Sequence, residues 1–377
     1  MSNKMEGIPL VSYREKWEEG KLDYGVGIIG VGNVANWAHL PTYEVAGLNV
    51  VAAADINEKA LEVAKNRWGI KKVFKDYRNL LALKEVDIVD VTVHHKWDDI
   101  RVQITKDAAE AGKHILMHKP MARTYERAKK IVEAAKQKNV KFAVNQNGRW
   151  GPAHFVTRNL IKEGFIGKPQ VVMIENFAPL TFSEAEPMEK PSFNILQWSI
   201  HHYDVMRWWL DKEPVRIYST LNNHTNFTVL EFEENIQASL IETFLAQGGA
   251  NEHNYGFRIE GTEGTIKGRQ GWHIYAGMPK DRLEVYSSYS PRHLKWLQIR
   301  LPYPIDPRVG RGRKVNYDLL SYPYAGFLGS MADLMRSIEQ DKEPTCNGED
   351  NLKSLQMMFA AYKSAKERRP VELKEIQ

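Results

Sequence analysis

Short apolar runs alternate with longer segments of helical period between residues 24 and 145 of the chain. An apolar run bounded by turn residues is typical of a strand buried on both faces, and apolar residues at three- and four-residue spacing predict the intervening helices. This alternation predicts a parallel sheet covered by helices. The predicted strands are 24–29, 49–54, 72–74, 86–93, 114–117 and 141–144, and the predicted helices are 57–68, 98–111 and 125–138, with Asp76 and Thr124 as N-caps.

Beyond residue 150 the pattern changes to strands in meander order, which predict a second domain with an open, mostly antiparallel sheet. The predicted strands are 170–177, 215–221, 227–232, 238–244 and 255–261, and the predicted helices are 152–163, 199–210, 324–340 and 349–368. The stretch 277–322, rich in Tyr, Pro and Arg, is predicted to be irregular. We therefore expect an α/β protein with an extension over 1–22, a doubly wound domain over 23–147 and an α+β domain over 148–377.

Composition and charge exclude several classes of protein. Of the 377 residues, 43% are hydrophobic and 26% are charged, as in globular proteins. The net charge is +5, but Lys and Arg are spread along the chain and their densest cluster, at 308–314, is expected in a solvated loop, so no nucleic-acid partner is predicted. No apolar run suits a signal peptide or a membrane span, which predicts a cytoplasmic protein. The single cysteine, Cys346, excludes an internal disulfide.

The first strand ends in a glycine pattern that fits the phosphate-binding turn of a dinucleotide-binding, Rossmann-type domain. Gly30 would allow the tight turn and Gly32 would let the backbone approach a pyrophosphate, while Asn33 and Val34 lead into a helix whose free N–H groups favour anions. The second strand ends at Asp55, where a carboxylate can accept hydrogen bonds from both ribose hydroxyls and would repel a 2′-phosphate. The pattern therefore predicts NAD, in preference to NADP, as the cofactor.

Polar residues after the fourth and fifth strands are candidates for contact with cofactor and substrate. Because the carboxyl ends of strands in doubly wound folds face the ligand crevice, Lys119 would project beside the nicotinamide. There it can donate to a substrate hydroxyl, and burial near other cations would lower its pKa towards a proton-transfer role. A solvated loop lysine is the alternative. The candidates that line the cofactor are Thr92, His95, Trp97, His118 and Lys119.

A predicted helix adds acid–base candidates, with His201 in its first turn. An imidazole with an unperturbed pKa of about 6.5 suits general acid–base catalysis, although a packed structural histidine would show the same pattern. His202 and Tyr203 are further catalytic candidates, and Asp204 shares a helix face with His201. Adjacent histidines point to different faces and no further ligand cluster completes a set, so no metal site is predicted. The candidates for substrate binding are Lys119, Asn147, Arg149, Gln197, His201 and Asp204.

Taken in order, these motifs resemble the glucose–fructose oxidoreductase and inositol dehydrogenase family, also called Gfo/Idh/MocA. The resemblance is carried by Gly30-Val31-Gly32, Asp55, the run from Lys113 to Pro120, the run from Arg149 to Pro152, His201 with Asp204 and Arg207, and the run from Ile259 to Thr265. It implies a Rossmann domain, an α/β domain that binds substrate, and homodimers or homotetramers. It also implies reversible hydride transfer between NAD(P) and a secondary alcohol of a carbohydrate, with Lys119 at the reacting hydroxyl and His201 as general acid–base.

The sequence departs from this family at three places. His118 stands where the family has a glutamate, and His94-His95 stand where it has Pro-Asn. Gln197 stands where the family has an aspartate, four residues before the histidine. A glutamine can orient the imidazole but supplies no charge, so the pKa of His201 is expected to be low.

Three functions are compatible with these features. The leading hypothesis is an NAD-dependent sugar or polyol dehydrogenase, in which Lys119 and His201 manage the hydroxyl proton. The second is an NAD-dependent glycoside hydrolase, which oxidises a ring hydroxyl transiently, expels the aglycone, adds water and returns the hydride; the added histidines would supply its acids and bases. The third is a non-catalytic NAD-binding protein, which the retained Lys119 and His201 argue against. The positive charge of the chain favours an anionic sugar as substrate.

Overall fold

The structure is a computed structural model that describes residues 24–177, 191–222, 224–245, 254–269, 282–287, 297–299 and 324–377. The predicted extension over 1–22, the basic cluster at 308–314 and most of the stretch 277–322 lie outside these residues. No helix in the described ranges combines the length and the apolar character that a bilayer span requires.

The first domain is built on a sheet of six parallel strands. These are β1 Gly25–Ile29, β2 Asn49–Ala54, β3 Lys72–Phe74, β4 Ile88–Val91, β5 His114–His118 and β6 Phe142–Asn145. They lie in the order β3-β2-β1-β4-β5-β6, and every neighbouring pair is parallel. The order reverses between β1 and β4, which opens a crevice at the carboxyl ends of these strands. The predicted doubly wound sheet is confirmed.

Helices cover both faces of this sheet. They are α1 Leu40–Ala46, α2 Glu58–Trp68, α3 Tyr77–Leu81, α4 Asp98–Glu110 and α5 Tyr125–Lys136. A π-helical segment, Ala35–His39, precedes α1 without a break. The predicted N-caps are confirmed, because the side chains of Asp76 and Thr124 accept hydrogen bonds from the backbone N–H groups of Arg78 and Arg127.

The second domain contains a sheet of nine strands. These are β7 Pro169–Phe177, β8 Pro214–Leu221, β9 Thr225–Phe232, β10 Gln237–Thr243, β11 Asn254–Gly261, β12 Gly264–Arg269, β13 Arg282–Ser287, β14 Leu297–Ile299 and β15 Val371–Glu372. Their order is β14-β13-β12-β11-β7-β10-β9-β8-β15, with only β7 and β10 parallel among the pairs described. The prediction of an irregular stretch over 277–322 is wrong at β13 and β14, which extend the sheet because edge pairing outweighs local composition.

Four helices complete the second half of the chain: α6 Pro152–Lys162, α7 Pro191–Leu210, α8 Tyr324–Glu339 and α9 Gly348–Glu367. Helix α7 begins at Pro191 instead of the predicted Ser199, since proline is tolerated in a first turn and no glycine or second proline interrupts the segment that follows. His201 therefore lies in the interior of the helix. Helix α8 returns to the first domain, where Leu328 and Met331 pack in one core with Val26 of β1.

Candidate active site

The glycine turn after β1 has the geometry that a dinucleotide requires. Gly30 adopts a φ of +94°, and a Cβ at this position would lie 2.8 Å from the backbone nitrogen of Val93, so only glycine fits. A Cβ at exposed Gly32 would meet nothing within 4 Å, which leaves open space beside the backbone. Asp55 Oδ2 accepts a hydrogen bond of 2.7 Å from the N–H of Val31. The turn and the carboxylate thus lie side by side, and the residues present fit NAD.

Two side chains that the sequence analysis missed hold this turn. Asn36 donates 2.8 Å hydrogen bonds from Nδ2 to the carbonyl oxygens of both Val31 and Gly32. Its own Oδ1 accepts a 2.7 Å bond from Trp68 Nε1. Thr92, predicted to line the cofactor, donates from its hydroxyl to the carbonyl oxygen of Gly30, so it supports the turn from the β4 side. An asparagine one turn after the glycines was the available signal.

Exposure separates the remaining candidates near the cofactor turn. Asn33 is exposed and Val34 half-buried at the start of the helical segment, where a phosphate would lie. After β4, the ring of His94 accepts a 3.2 Å hydrogen bond from the N–H of Lys96 and stacks on His95 at 4.1 Å. His95 is buried, and burial together with the charges of His94 and Arg101 holds its pKa far below the usual value. Trp97 is 55% exposed and is available to a ligand.

Arg101 of α4 joins the loops that follow β4 and β5. Its Nε donates to Val93 O at 2.7 Å, and its Nη1 donates to Pro120 O at 2.6 Å and to His118 O at 3.0 Å. The side chain is fully buried. The guanidinium therefore fixes the backbone on both sides of Lys119. The sequence analysis missed it, because a buried arginine inside a helix carries no motif.

Lys119 lies where the first domain meets α7. Its Nζ donates a 2.8 Å hydrogen bond to the carbonyl oxygen of Gln197 and lies 5.2 Å from the ring centre of Trp198. Burial, and then the positive charge of Arg101, lowers the pKa of Lys119 to about 7. An ammonium group with this pKa donates a proton and takes one back near neutral pH.

His201 lies close enough to Lys119 for the two charges to interact. Burial first, then the charges of Lys119, His202 and His154, lower the pKa of His201 well below its usual value. The imidazole is therefore neutral at neutral pH. A low pKa was expected because Gln197 supplies no charge, but burial is the largest cause of the lowering. Its Nδ1 is buried without a hydrogen-bond partner in the described structure. The structure brings the predicted pair Lys119 and His201 together.

His202 and Tyr203, both predicted to be catalytic, lie in a buried polar cluster between α7 and the second sheet. His202 Nε2 lies 3.0 Å from Glu242 Oε1. The hydroxyl of fully buried Tyr203 lies 2.9 Å from Thr228 Oγ1 and has a pKa well above its usual value, chiefly because of burial. Consecutive helix residues project about 100° apart, so residues adjacent to His201 face other neighbours.

Arg149 and Asp204, both predicted to bind substrate, form a buried ion pair with each other. Arg149 Nε and Nη2 donate 2.6 Å hydrogen bonds to the two carboxylate oxygens of Asp204. Ser354 also donates to Asp204, at 2.6 Å, and Asp350 accepts from Arg149. The side chains of Arg149 and Asp204 therefore pair with each other at the junction of α7 and α9. Asn147, also predicted to bind substrate, is 3% exposed and lies against Gly326 of α8.

The described residues contain one group of three side chains with metal-ligand chemistry: Asp204, Cys346 and Asp350. Their positive partner is the guanidinium of Arg149, which pairs with both carboxylates. The cluster is therefore explained by an internal ion pair.

His118, at the end of β5, begins a line of hydrogen-bonded side chains that leads into the first domain. His118 Nδ1 lies 3.2 Å from His39 Nε2, and His39 Nδ1 lies 2.7 Å from Asp90 Oδ2. Tyr43 donates to the same carboxylate oxygen at 2.7 Å. The sequence analysis placed His118 beside the cofactor and missed the other three, which are distant in sequence and share no motif.

Two family models match the chain and together span most of it. Residues 24–146 match an oxidoreductase family described by its NAD-binding Rossmann fold, and residues 158–373 match the C-terminal α/β domain of the same family. The first domain is therefore an NAD-binding Rossmann domain, which confirms the predicted cofactor.

The chain is also similar to curated dehydrogenases along most of its length. It is 24% identical to D-apiose dehydrogenase of Paraburkholderia graminis, over 89% of this chain and 85% of that protein. It is 22% identical to myo-inositol 2-dehydrogenase of Thermotoga maritima, over 93% of this chain and 99% of that protein.

Solved structures show the same fold at low sequence identity. An oxidoreductase from Agrobacterium radiobacter in complex with NAD+, L-tartaric acid and magnesium has a TM-score of 0.77 at 20% identity, covering 94% of this chain and 100% of that one. Levoglucosan dehydrogenase in complex with NADH and L-sorbose has a TM-score of 0.74 at 22% identity, covering 94% of this chain and 99% of that one.

Proposed function

Because the chain belongs to the Gfo/Idh/MocA oxidoreductase family, we propose that it is an NAD-dependent dehydrogenase acting on a secondary hydroxyl of a sugar, a cyclitol or a related compound. One observation carries this proposal beyond the family. Lys119 is held between the two domains with its pKa lowered to about 7, beside a neutral buried His201. A strongly perturbed lysine and histidine in the crevice of an NAD-binding domain are suited to proton transfer at a hydroxyl.

The proposed division of labour follows from these positions. Bound NAD supplies a hydride acceptor for the carbinol carbon. Lys119 donates a hydrogen bond to the reacting hydroxyl oxygen, in place of its present bond to the carbonyl of Gln197. His201, neutral because it is buried, accepts the hydroxyl proton. Burial on both sides excludes water from this point.

Cofactor choice is proposed to depend on Asp55. Its Oδ1 accepts a 2.8 Å hydrogen bond from the N–H of Asn57 and its Oδ2 accepts from Val31, so the carboxylate is held at the glycine turn. A ribose with two free hydroxyls can donate to this carboxylate, whereas a 2′-phosphate would be repelled by it. Ile56 and Asn57 follow and supply no compensating arginine. We therefore infer that NAD binds more tightly than NADP.

The substrate class and the assembly are inferences of the same kind. The net charge of +5 supports a carbohydrate that carries a carboxylate, phosphate or sulfonate.

The second sheet leaves Phe227 and Val229 50% and 55% exposed, which supports self-association through this face as a homodimer or homotetramer. The cytoplasm, where NAD is abundant, is the compartment we propose. Sedimentation of the purified chain tests the assembly, and a monomer at micromolar concentration would contradict it.

The function is tested by NADH formation, measured at its absorbance band. D-apiose, myo-inositol, levoglucosan and D-glucuronate are offered with NAD to the full chain, with Lys119→Met as the inactive control. We expect stoichiometric NADH with at least one of these compounds and a preference for the anionic one. Release of nitrophenol from a nitrophenyl glycoside with catalytic NAD and no net NADH would overturn the proposal in favour of a glycosidase.

A further inference from the structure

A continuous line of buried polar groups runs through the first domain and ends at the crevice. It starts at Asp90 in the middle of the sheet, passes through His39 and reaches His118 at the carboxyl end of β5. Asp90 and His39 are fully buried, whereas His118 is half-buried. The two links measure 2.7 Å and 3.2 Å. One end of the line is thus closed to solvent and the other is accessible beside Lys119.

The hydrogen bonds determine which ring nitrogens carry protons. An ionised carboxylate only accepts, so His39 Nδ1 carries the proton it donates to Asp90. In a neutral ring the other nitrogen, Nε2, then accepts, and it accepts from Nδ1 of His118. Nε2 of His118 is left with a lone pair. The line therefore presents a proton acceptor at its accessible end.

Three local features of the structure are consistent with a functional role for this line of hydrogen-bonded side chains. His39 belongs to the π-helical segment Ala35–His39, and single π-helical turns occur often at functional sites. The ring of Phe327 packs against both imidazoles, with centres 4.6 Å from His39 and 6.1 Å from His118. Asp90 accepts from His39 and Tyr43 through Oδ2, whereas Oδ1 is buried without a hydrogen-bond partner in the described structure. The carboxylate therefore keeps capacity to stabilise additional positive charge.

We propose that Asp90, His39 and His118 form a proton relay, in which Nε2 of His118 is a second proton acceptor in the crevice, besides His201. The proposal rests on the proposed dehydrogenase function for the source of the proton. It accounts for two residues outside the family pattern together, because a histidine stands in place of the glutamate before Lys119 while Gln197 leaves His201 without a charged partner.

The relay moves one proton and no electrons. When His118 takes the one proton of the reacting hydroxyl in place of His201, the O–H bond of the substrate breaks as an N–H bond forms at Nε2 of His118. The proton on Nδ1 of His118 then passes to Nε2 of His39, which becomes an imidazolium in contact with the carboxylate of Asp90. The reverse sequence returns the proton to the crevice after the ketone forms. The hydride from the oxidised carbon would go to NAD, as in the proposed dehydrogenation.

The charge is expected to settle on His39 because His118 is a poor site for it. Burial first, then the charges of His39, Lys119, Arg101 and His201, hold the pKa of His118 well below its usual value. His39 instead has Asp90 at 2.7 Å. Transfer along the line thus places the positive charge beside the carboxylate.

Nitrogen NMR of the full chain labelled with ¹⁵N-histidine tests the relay without any substrate. The pattern of couplings between ring nitrogens and ring protons shows which nitrogen is protonated, and signals are assigned with His39→Gln and His118→Gln. We expect both His39 and His118 in the form protonated at Nδ1, the less common form of a neutral imidazole in water. In His39→Gln, we expect His118 to lose this preference. His118 protonated at Nε2 in the wild-type chain would overturn the relay.

Turnover separates a relay from a merely structural cluster. Asp90→Asn keeps an oxygen that accepts from His39 but removes the charge, so we expect both tautomers to persist while kcat falls about 100-fold. Tyr43→Phe is the matched control: it removes a donor to the same carboxylate oxygen, and we expect it to keep both tautomers with a change in kcat within about 3-fold. Asp90→Asn with kcat equal to that of Tyr43→Phe would contradict the relay.

The two proposals fail in distinguishable ways. If no tested carbohydrate reduces NAD but both histidines are protonated at Nδ1, the dehydrogenase proposal fails and the hydrogen-bonded line stands. If NADH forms but His118 is protonated at Nε2, the dehydrogenase stands and the relay fails. NAD affinity, measured by calorimetry, is expected to change less than 3-fold in each variant.

Discussion

The two domains each contain a buried histidine beside a buried carboxylate, and the two pairs are built differently. In the first domain His39 Nδ1 lies 2.7 Å from Asp90, which accepts one further bond, from Tyr43. In the second domain His202 Nε2 lies 3.0 Å from Glu242. The carboxylate of Glu242 also accepts hydrogen bonds from Asn176, Ser199 and Asn226.

The difference lies in where the second imidazole nitrogen leads. His39 Nε2 meets His118 at the edge of the crevice, whereas His202 Nδ1 is buried with no hydrogen-bond partner in the described part of the chain. A proton that reaches His39 therefore has a path out, and one that reaches His202 has none. A histidine–carboxylate pair can relay protons only when its second ring nitrogen contacts another proton donor or acceptor, and a fully satisfied carboxylate serves chiefly to hold its neighbours.

The largest effect on turnover is expected at Lys119, in the crevice to which the first pair leads through His118. Lys119→Met removes the donor proposed to contact the hydroxyl, and we expect kcat and kcat/KM to fall together by about 1000-fold while NAD affinity stays within a few-fold. Lys113→Met is the matched control, because Lys113 precedes β5 at its opposite end and donates to Leu83 O. Steady-state kinetics with NADH detection measures both, and near wild-type turnover in Lys119→Met would remove the crevice from the comparison.

Glu242→Gln tests the second pair. The amide presents a donor to side chains that now donate to a carboxylate, so we expect the free energy of unfolding to fall by about 3 kcal/mol. Turnover of the folded fraction is expected to stay within about 3-fold, opposite to the pattern proposed for Asp90→Asn. Urea denaturation and kinetics on the same sample give the two values. A large loss of turnover without loss of stability would place Glu242 in the reaction and remove the contrast.

His154 offers a third case, a buried histidine with a carbonyl partner and no carboxylate. Its Nδ1 lies 2.7 Å from Gly148 O, and burial lowers its pKa to about 3. The unfolded chain takes up this proton near pH 6.5 while the folded chain does not, so the contribution to stability is present above pH 6.5 and is lost as the pH falls towards 3. On acidification from pH 7 to pH 5, this one group should lower the free energy of unfolding by about 2 kcal/mol.

The measurement is denaturation at both pH values for the wild-type chain and for His154→Gln. The variant should show a smaller loss of stability on acidification, whereas His224→Gln, at an exposed position, should retain the wild-type loss. An unchanged pH dependence in His154→Gln would mean that burial does not exclude the proton from this ring.

The smallest effect is expected at Asp55, which touches neither pair and so separates cofactor binding from proton handling. Asp55→Ser removes the carboxylate, and we expect NAD affinity to fall about 10-fold, or about 1.4 kcal/mol, while NADP affinity rises. Calorimetric titration of both cofactors measures this, with Asp76→Ser as a control at the N-cap of α3. Equal affinities of the wild-type chain for NAD and NADP would refute the role of Asp55.

Much of the first domain was predictable because its strands and turns depend on local sequence. Strands β2 and β3 match their predicted bounds, and the N-caps at Asp76 and Thr124 act within three residues of themselves. The second domain was less predictable at its ends. Strands β13 and β14 lie in a stretch whose composition is typical of loops, and they form because β13 pairs with β12 and β14 pairs with β13.

The sequence by itself determined the doubly wound domain and its NAD cofactor, and it singled out Gly30, Gly32, Lys119 and His201 as candidates, because short-range patterns encode all of these. Only the tertiary structure decided which polar residues face the crevice. It buried Arg149 against Asp204 and Tyr203 against Thr228. It also joined His39 to His118, 79 positions away in the sequence, and to Asp90, 51 positions away. The physical reason is that spacing along a helix or strand gives a direction for each side chain but not its partner, and the partner decides whether a polar group binds, relays or only packs.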